Sequence, residues 1–175
     1  MTKEIRSWVI IIVLAFVLAF VVRAFVVQPY RIEMDSMMTT LHPNDLILVD
    51  KLTYRMRPPR RGEVVIFTPP VNKKSKFIKR VIGLPGETLE IRNNAVYING
   101  KKLNEPYVHS PMLTDYGPIK IPEGYVFVMG DNRSVSEDSR YFGPIPIKSI
   151  VGRAVVVYLP FNHIENLNAY SGETP

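Results

Sequence analysis

A serine hydroxyl becomes a useful nucleophile only when a neighbouring base takes its proton, and that base must itself be uncharged near working pH. Ser36 lies in the polar stretch Glu33-Met34-Asp35-Ser36-Met37-Met38-Thr39-Thr40-Leu41, and Lys79 lies in Lys76-Phe77-Ile78-Lys79-Arg80-Val81-Ile82-Gly83-Leu84-Pro85-Gly86-Glu87. With a strand's period of two, Lys79 shares a face with Phe77 and Val81, and Arg80 shares the other with Ile78 and Ile82, so one of the two cations must look inward. A buried arginine keeps its charge, whereas a buried lysine can release its proton, which makes Lys79 the one able to act as a base. Bringing its pKa from about 10.4 to about 7 or 8 takes roughly 4 kcal/mol of differential desolvation, within the range known for buried lysines.

A third polar segment runs Gly130-Asp131-Asn132-Arg133-Ser134-Val135-Ser136-Glu137-Asp138-Ser139-Arg140-Tyr141-Phe142-Gly143. Its alternating acids and bases between glycines suit a loop whose charges pair with one another beneath a site. Taken singly, each segment has a plainer reading: an Asp-Ser turn, an edge-strand lysine in water beside Lys73, Lys74 and Lys76, and a solvated loop. Their joint presence has to carry the argument.

The elements that would position them are mainly β. Short runs rich in Val, Ile, Tyr and Phe predict strands at Leu46 to Asp50, Glu63 to Phe67, Phe77 to Gly83, Thr88 to Arg92, Ala95 to Ile98, Tyr125 to Met129 and Ile150 to Leu159. Asn99-Gly100 predicts a type I′ hairpin, Leu84-Pro85-Gly86-Glu87 a type II turn, and Pro58 to Gly62 a break between strands. The expected fold is an antiparallel, barrel-like β domain over residues 28–170, with a small irregular cap around 104–122 and a tail at 171–175. Ahead of it, every residue from Trp8 to Val22 is apolar. A helix from Ser7 to Val27 would span about 30 Å, the thickness of a bilayer's hydrocarbon core, so residues 1–27 are expected to hold one transmembrane anchor. A cleaved leader is disfavoured because its only small-residue site, Val22-Arg23-Ala24, contains an arginine. Charge does not orient the span, since Lys3 and Arg6 on one side are matched by Arg23 and Arg31 on the other.

Composition narrows the function classes. The net charge of +6 suits anionic lipid, and no Arg-rich helix or stacking platform points to nucleic acid. The absence of cysteine removes disulfides, thiolate metal sites and a thiol nucleophile. The three histidines, His42, His109 and His163, are scattered, so neither a metal site nor a Ser-His triad is expected. No cofactor is implied.

Together the three segments resemble those of bacterial type I signal peptidases. Ser36-Met37-Met38-Thr39-Thr40-Leu41 is similar to the family's Ser-Met-x-Pro-Thr-Leu box, with Thr39 where proline is usual. Lys79 to Glu87 matches the lysine box, and Gly130 to Arg133 with Asp138 to Gly143 matches the third. The resemblance implies a compact single-anchor serine endopeptidase in the cell membrane, N-terminus cytoplasmic and catalytic domain outside. It would remove signal peptides from exported preproteins after small residues of the Ala-x-Ala type, through an acyl-enzyme. It further implies Ser36 as nucleophile, Lys79 as base, Ser136 orienting the amine, Asp138 and Arg140 as a supporting ion pair, and the Ser36 backbone N-H as oxyanion donor. Met34 stands where some members carry a helping serine. A self-cleaving repressor of the Ser-Lys type would carry a DNA-binding domain in place of the apolar segment. The remaining alternative is a catalytically impaired paralogue, a membrane-anchored β domain that binds preproteins without cleaving them.

Overall fold

A computed structural model describes residues 3–112 and 114–167. It begins with α1 (Lys3–Phe25), a helix exposed along its apolar length and containing a 20-residue stretch, Glu4–Arg23, long and apolar enough to cross a membrane. The strands are β1 (Val27–Arg31), β2 (Leu46–Asp50), β3 (Val64–Phe67), β4 (Phe77–Gly83), β5 (Thr88–Arg92), β6 (Ala95–Ile98), β7 (Lys101–Lys102), β8 (Tyr116–Lys120), β9 (Tyr125–Met129), β10 (Ile145–Pro146), β11 (Ile150–Leu159) and β12 (Glu165–Asn166). Two one-turn helices, α2 (Thr53–Met56) and α3 (Ser139–Phe142), join them.

The larger sheet is antiparallel and curled, in the order β1-β2-β11-β3-β4-β9-β10, with β12 added alongside β11. Its curl has a visible cause. The long strand β11 changes register three times against β2 and β3, and each such irregularity bends the strand and increases its twist. A second, four-stranded sheet has the order β7-β6-β5-β8. Apolar residues fill both faces of the curled sheet. Ile82 of β4 packs with Leu89, Val96, Ile98 and Phe127 toward the small sheet, while Val81 packs with Val65, Phe67, Val128 and Ile145 on the opposite side. Every residue of β3 is buried.

The predicted strands are all present within a residue of their expected ends. Asn99 and Gly100 both have positive φ (51° and 81°), as a two-residue type I′ hairpin requires. Asn93 and Asn94 do the same between β5 and β6, a turn not singled out in the sequence. Three differences stand out. The helix ends at Phe25, so Val27 already belongs to a strand. The proline-rich stretch expected to be irregular contains β8. The tail expected at 171–175 lies outside the described residues.

Candidate active site

Ser36 sits at the start of a tight turn whose backbone bonds, Met38 N-H to Asp35 O and Leu41 N-H to Met37 O, wind the chain back on itself. Met37 and Leu41 anchor that turn in the core beside Ile47 and Val64. Met34 and Met38 project outward. Lys79 is on β4, paired with Val65 of β3, and only 3 % exposed. The two meet: Lys79 Nζ and Ser36 Oγ are hydrogen-bonded at 2.7 Å in a buried setting. Desolvation pulls the amine down from 10.5 to about 8, although Asp138, Glu137 and Asp131 act in the opposite sense.

Arg80 is buried as well, fully so, and both cations of β4 therefore lie inside rather than one alone. A strand alternates its faces, but here a core lies on both, so neither face leads to water. Arg80 is matched by the buried Asp131, with Nε to Oδ1 at 2.9 Å and Nη2 to Oδ2 at 2.6 Å. Its own burial would lower the Arg80 pKa, but the Asp131 charge and hydrogen bonds outweigh that and raise it. Thr40 Oγ1 donates to Asp131 Oδ2 at 2.6 Å, which ties the ion pair to the turn carrying Ser36.

The Gly130 to Gly143 loop grips that turn from the other side. Asn132 donates its backbone N-H to Ser36 O (3.1 Å) and its side-chain amide to Asp35 O (3.2 Å). The loop's charges do not all pair with one another as expected. Asp138 and Arg140 do, through two contacts of 2.9 Å, and Asp138 also accepts from Gly130 N-H at 3.0 Å. Arg133, by contrast, reaches out to Glu105. Ser136 is buried, but its hydroxyl has no hydrogen-bond partner among the described residues, so the expected bond to the Lys79 amine is not formed in this structure. At Gly130 a β-carbon would collide with both the Ser36 carbonyl and the Ser136 side chain. Gly130→Ala should therefore push Ser36 out of line, lowering turnover ~10²-fold in a peptide assay with little change in KM.

Beside the serine lies a cleft of about 430 Å³, walled by Tyr30, Ile32 and Met34 on one side and Phe77 and Ile78 on the other, with Ile66 and Lys79 also lining it. Both walls offer open strand edges. Among the described residues β1 pairs with β2 alone, and Phe77 to Lys79 pair with β3 alone, because β9 joins β4 from Arg80 onward. The Ser36 N-H donates to no acceptor among the described residues. His42 is turned toward His163 and Asp45 rather than the serine.

Residues 5–159 match the family described as signal peptidase, peptidase S26. The chain belongs to the S26 signal peptidase family. It is 43 % identical over 161 residues to signal peptidase I of Leptolyngbya laminosa, covering 88 % of this chain and 79 % of that one. Signal peptidase I of Bacillus licheniformis is 41 % identical over 173 residues, covering 93 % and 92 %. A crystal structure of a signal peptidase I from Enterococcus faecalis V583 superposes with a TM-score of 0.50 at 36 % identity, covering 55 % of this chain and 97 % of the other. An S26 chain of this kind is a peptidase, and its apolar N-terminal helix fits a membrane-anchored protein. These relatives support cleavage, and none of the three supports a non-cleaving paralogue. Arg80, Asp131, Thr40 and Gly130 all lie in the three segments singled out in the sequence, which gave them no role of their own at the site. The available signal was a second cation next to Lys79 in β4, which needs a buried acid if both faces are covered.

Proposed function

We propose that this chain removes signal peptides from exported preproteins, with Ser36 as nucleophile and Lys79 as general base. The observation that carries the proposal is the dry contact of 2.7 Å between Nζ and Oγ. Lys79 takes the Ser36 proton as Oγ bonds to the scissile carbonyl carbon, and the ammonium returns it to the leaving amine as the C-N bond breaks. A water then gives its proton to Lys79 and attacks the ester, releasing the new carboxyl end and restoring Ser36. The Ser36 N-H, which has no acceptor among the described residues, stabilises the oxyanion; such a donor contributes about 2.7–4 kcal/mol. Ser136, whose hydroxyl has no partner among the described residues, is left available to take up the Lys79 amine once substrate is bound, and Asp138 with Arg140 holds the loop that carries it.

The substrate lies extended in the cleft and adds backbone bonds to the open edges of β1 and β4, as in β-augmentation. Ile32, Ile66 and Ile78 give the cleft an apolar lining against which the small side chains before the scissile bond pack. The N-terminal stretch through α1 forms the cytoplasmic end and anchor, and the β-rich part from β1 onward the extracytoplasmic peptidase domain. The cleft wall β1 begins two residues past α1, so the scissile bond is met at the lipid surface.

The test is cleavage of a peptide carrying Ala-x-Ala before the bond. A base must be uncharged, so kcat/KM should rise with pH through about 8, the value set by burial of Lys79, and level off above it. A profile that is flat from about pH 6 to 9 would remove Lys79 from the reaction.

A further inference from the structure

The chain brings together two histidines that are 121 residues apart in sequence. His42 follows the turn that carries Ser36, and His163 lies in the single 3-10 turn after β11. Their Nδ1 atoms face each other at 3.3 Å, with the rings edge-on at 69° rather than stacked. Asp45 completes the group: its Oδ2 lies 2.9 Å from His163 Nδ1 and 3.9 Å from His42 Nδ1.

Two neutral imidazoles that point the same nitrogen at each other share at most one hydrogen bond, and a carboxylate beside them adds a further lone pair. With both rings in the tautomer protonated at Nε2, the two Nδ1 lone pairs and one from Asp45 lie close enough together to share one ion. Two nitrogens bound to a tetrahedral zinc at about 2.0–2.1 Å lie about 3.3 Å apart, the spacing found here. The surroundings also suit coordination. Glu165 Oε2 lies 3.4 Å from His163 Nε2, the outer-shell position that holds a ligating imidazole with its other nitrogen free. Asp45 is fixed from below: Oδ2 accepts the His42 N-H at 2.8 Å, and its carbonyl accepts the Ile32 N-H at 2.9 Å. The carboxylate side chain is 3 % exposed, while His42 is 46 % and His163 23 % exposed, so the anchor is rigid and the outer face is open to an arriving ion and a water.

We propose that His42, Asp45 and His163 bind one divalent transition-metal ion of the Zn²⁺ class. Two imidazoles and one carboxylate favour such an ion over Ca²⁺ or Mg²⁺, which take mostly oxygen ligands. Its effect is structural. The ion clips the segment after β11 to the loop between Ser36 and β2, closing the far end of the turn that presents the serine. The proposal does not depend on the assignment of the nucleophile or base.

The test uses tag-free, full-length protein in detergent, stripped with a chelator and titrated with Zn²⁺ by calorimetry and thermal unfolding. The expected result is one Zn²⁺ per chain, bound with a Kd of ~10 µM or tighter, with a rise in Tm. His163→Ala and His42→Ala, both at partly exposed positions, should each weaken binding at least ~100-fold, and Glu165→Gln about 10-fold. Co²⁺ in the unaltered protein should give visible ligand-field absorption of a four-coordinate nitrogen and oxygen site, a readout that does not require any variant to fold. Absence of saturable Zn²⁺ binding, equal binding in the histidine variants, or equal binding of Ca²⁺ or Mg²⁺ would overturn the proposal.

Discussion

Lys79→Ala is expected to lower turnover of an Ala-x-Ala peptide at least ~10³-fold, and Ser36→Ala to do the same, with far-ultraviolet circular dichroism unchanged. Their double variant should lose little more than either single one, because the two groups act as a unit. Appreciable activity in Lys79→Ala would sink the dyad. The same burial has a stability consequence of opposite sign. A lysine with a folded pKa of about 8 against 10.5 carries the whole cost of its buried charge below about pH 8, and sheds it as pH rises toward 10.5. Lys79→Met removes that charge. Its stability relative to the unaltered protein should be highest below about pH 8 and fall by about 3 kcal/mol by pH 10.5, measured by urea unfolding across that range.

Asp131→Ala is expected to cost about 3–5 kcal/mol in the same urea assay. Asp131 and Arg80 are both 0 % exposed, so removal of the carboxylate strips the buried guanidinium of the charge and the two hydrogen bonds that Asp131 supplies. Thr40 loses its acceptor as well, so turnover should fall alongside stability. The double variant Asp131→Ala, Arg80→Met should recover much of the loss, since an apolar replacement of a whole buried pair is often tolerated. A loss below about 1 kcal/mol for Asp131→Ala would mean that the pair behaves as if it were at the surface.

The strands missed in the sequence share a physical reason. β1 contains Pro29 and β8 contains Pro118, and a proline argues against a strand because it cannot donate to the ladder. Both turn out to be edge strands, β1 of the curled sheet and β8 of the small one, where one side needs no partner. β7, β10 and β12 are two residues each, too short for any period to register. At the site, the contact between Ser36 and Lys79 was legible because two motifs and a strand period constrained it. The burial of Arg80 was not, because a period of two cannot say whether the second face is covered by water or by another core. The meeting of His42 with His163 depends on where β11 ends relative to β2, which no local pattern encodes.

The grip of Asn132 on the carbonyl of Asp35 reaches further than its length suggests. That oxygen belongs to the same flat amide as the Ser36 nitrogen, and in a trans unit the hydrogen points the opposite way. Pinning one end therefore aims the other, with no freedom to swivel when charge builds on a bound carbonyl. A residue nearly a hundred positions downstream thus sets the heading of the nucleophile's own amide, so the aim of this donor is settled only once β9 and its following loop have been laid in place.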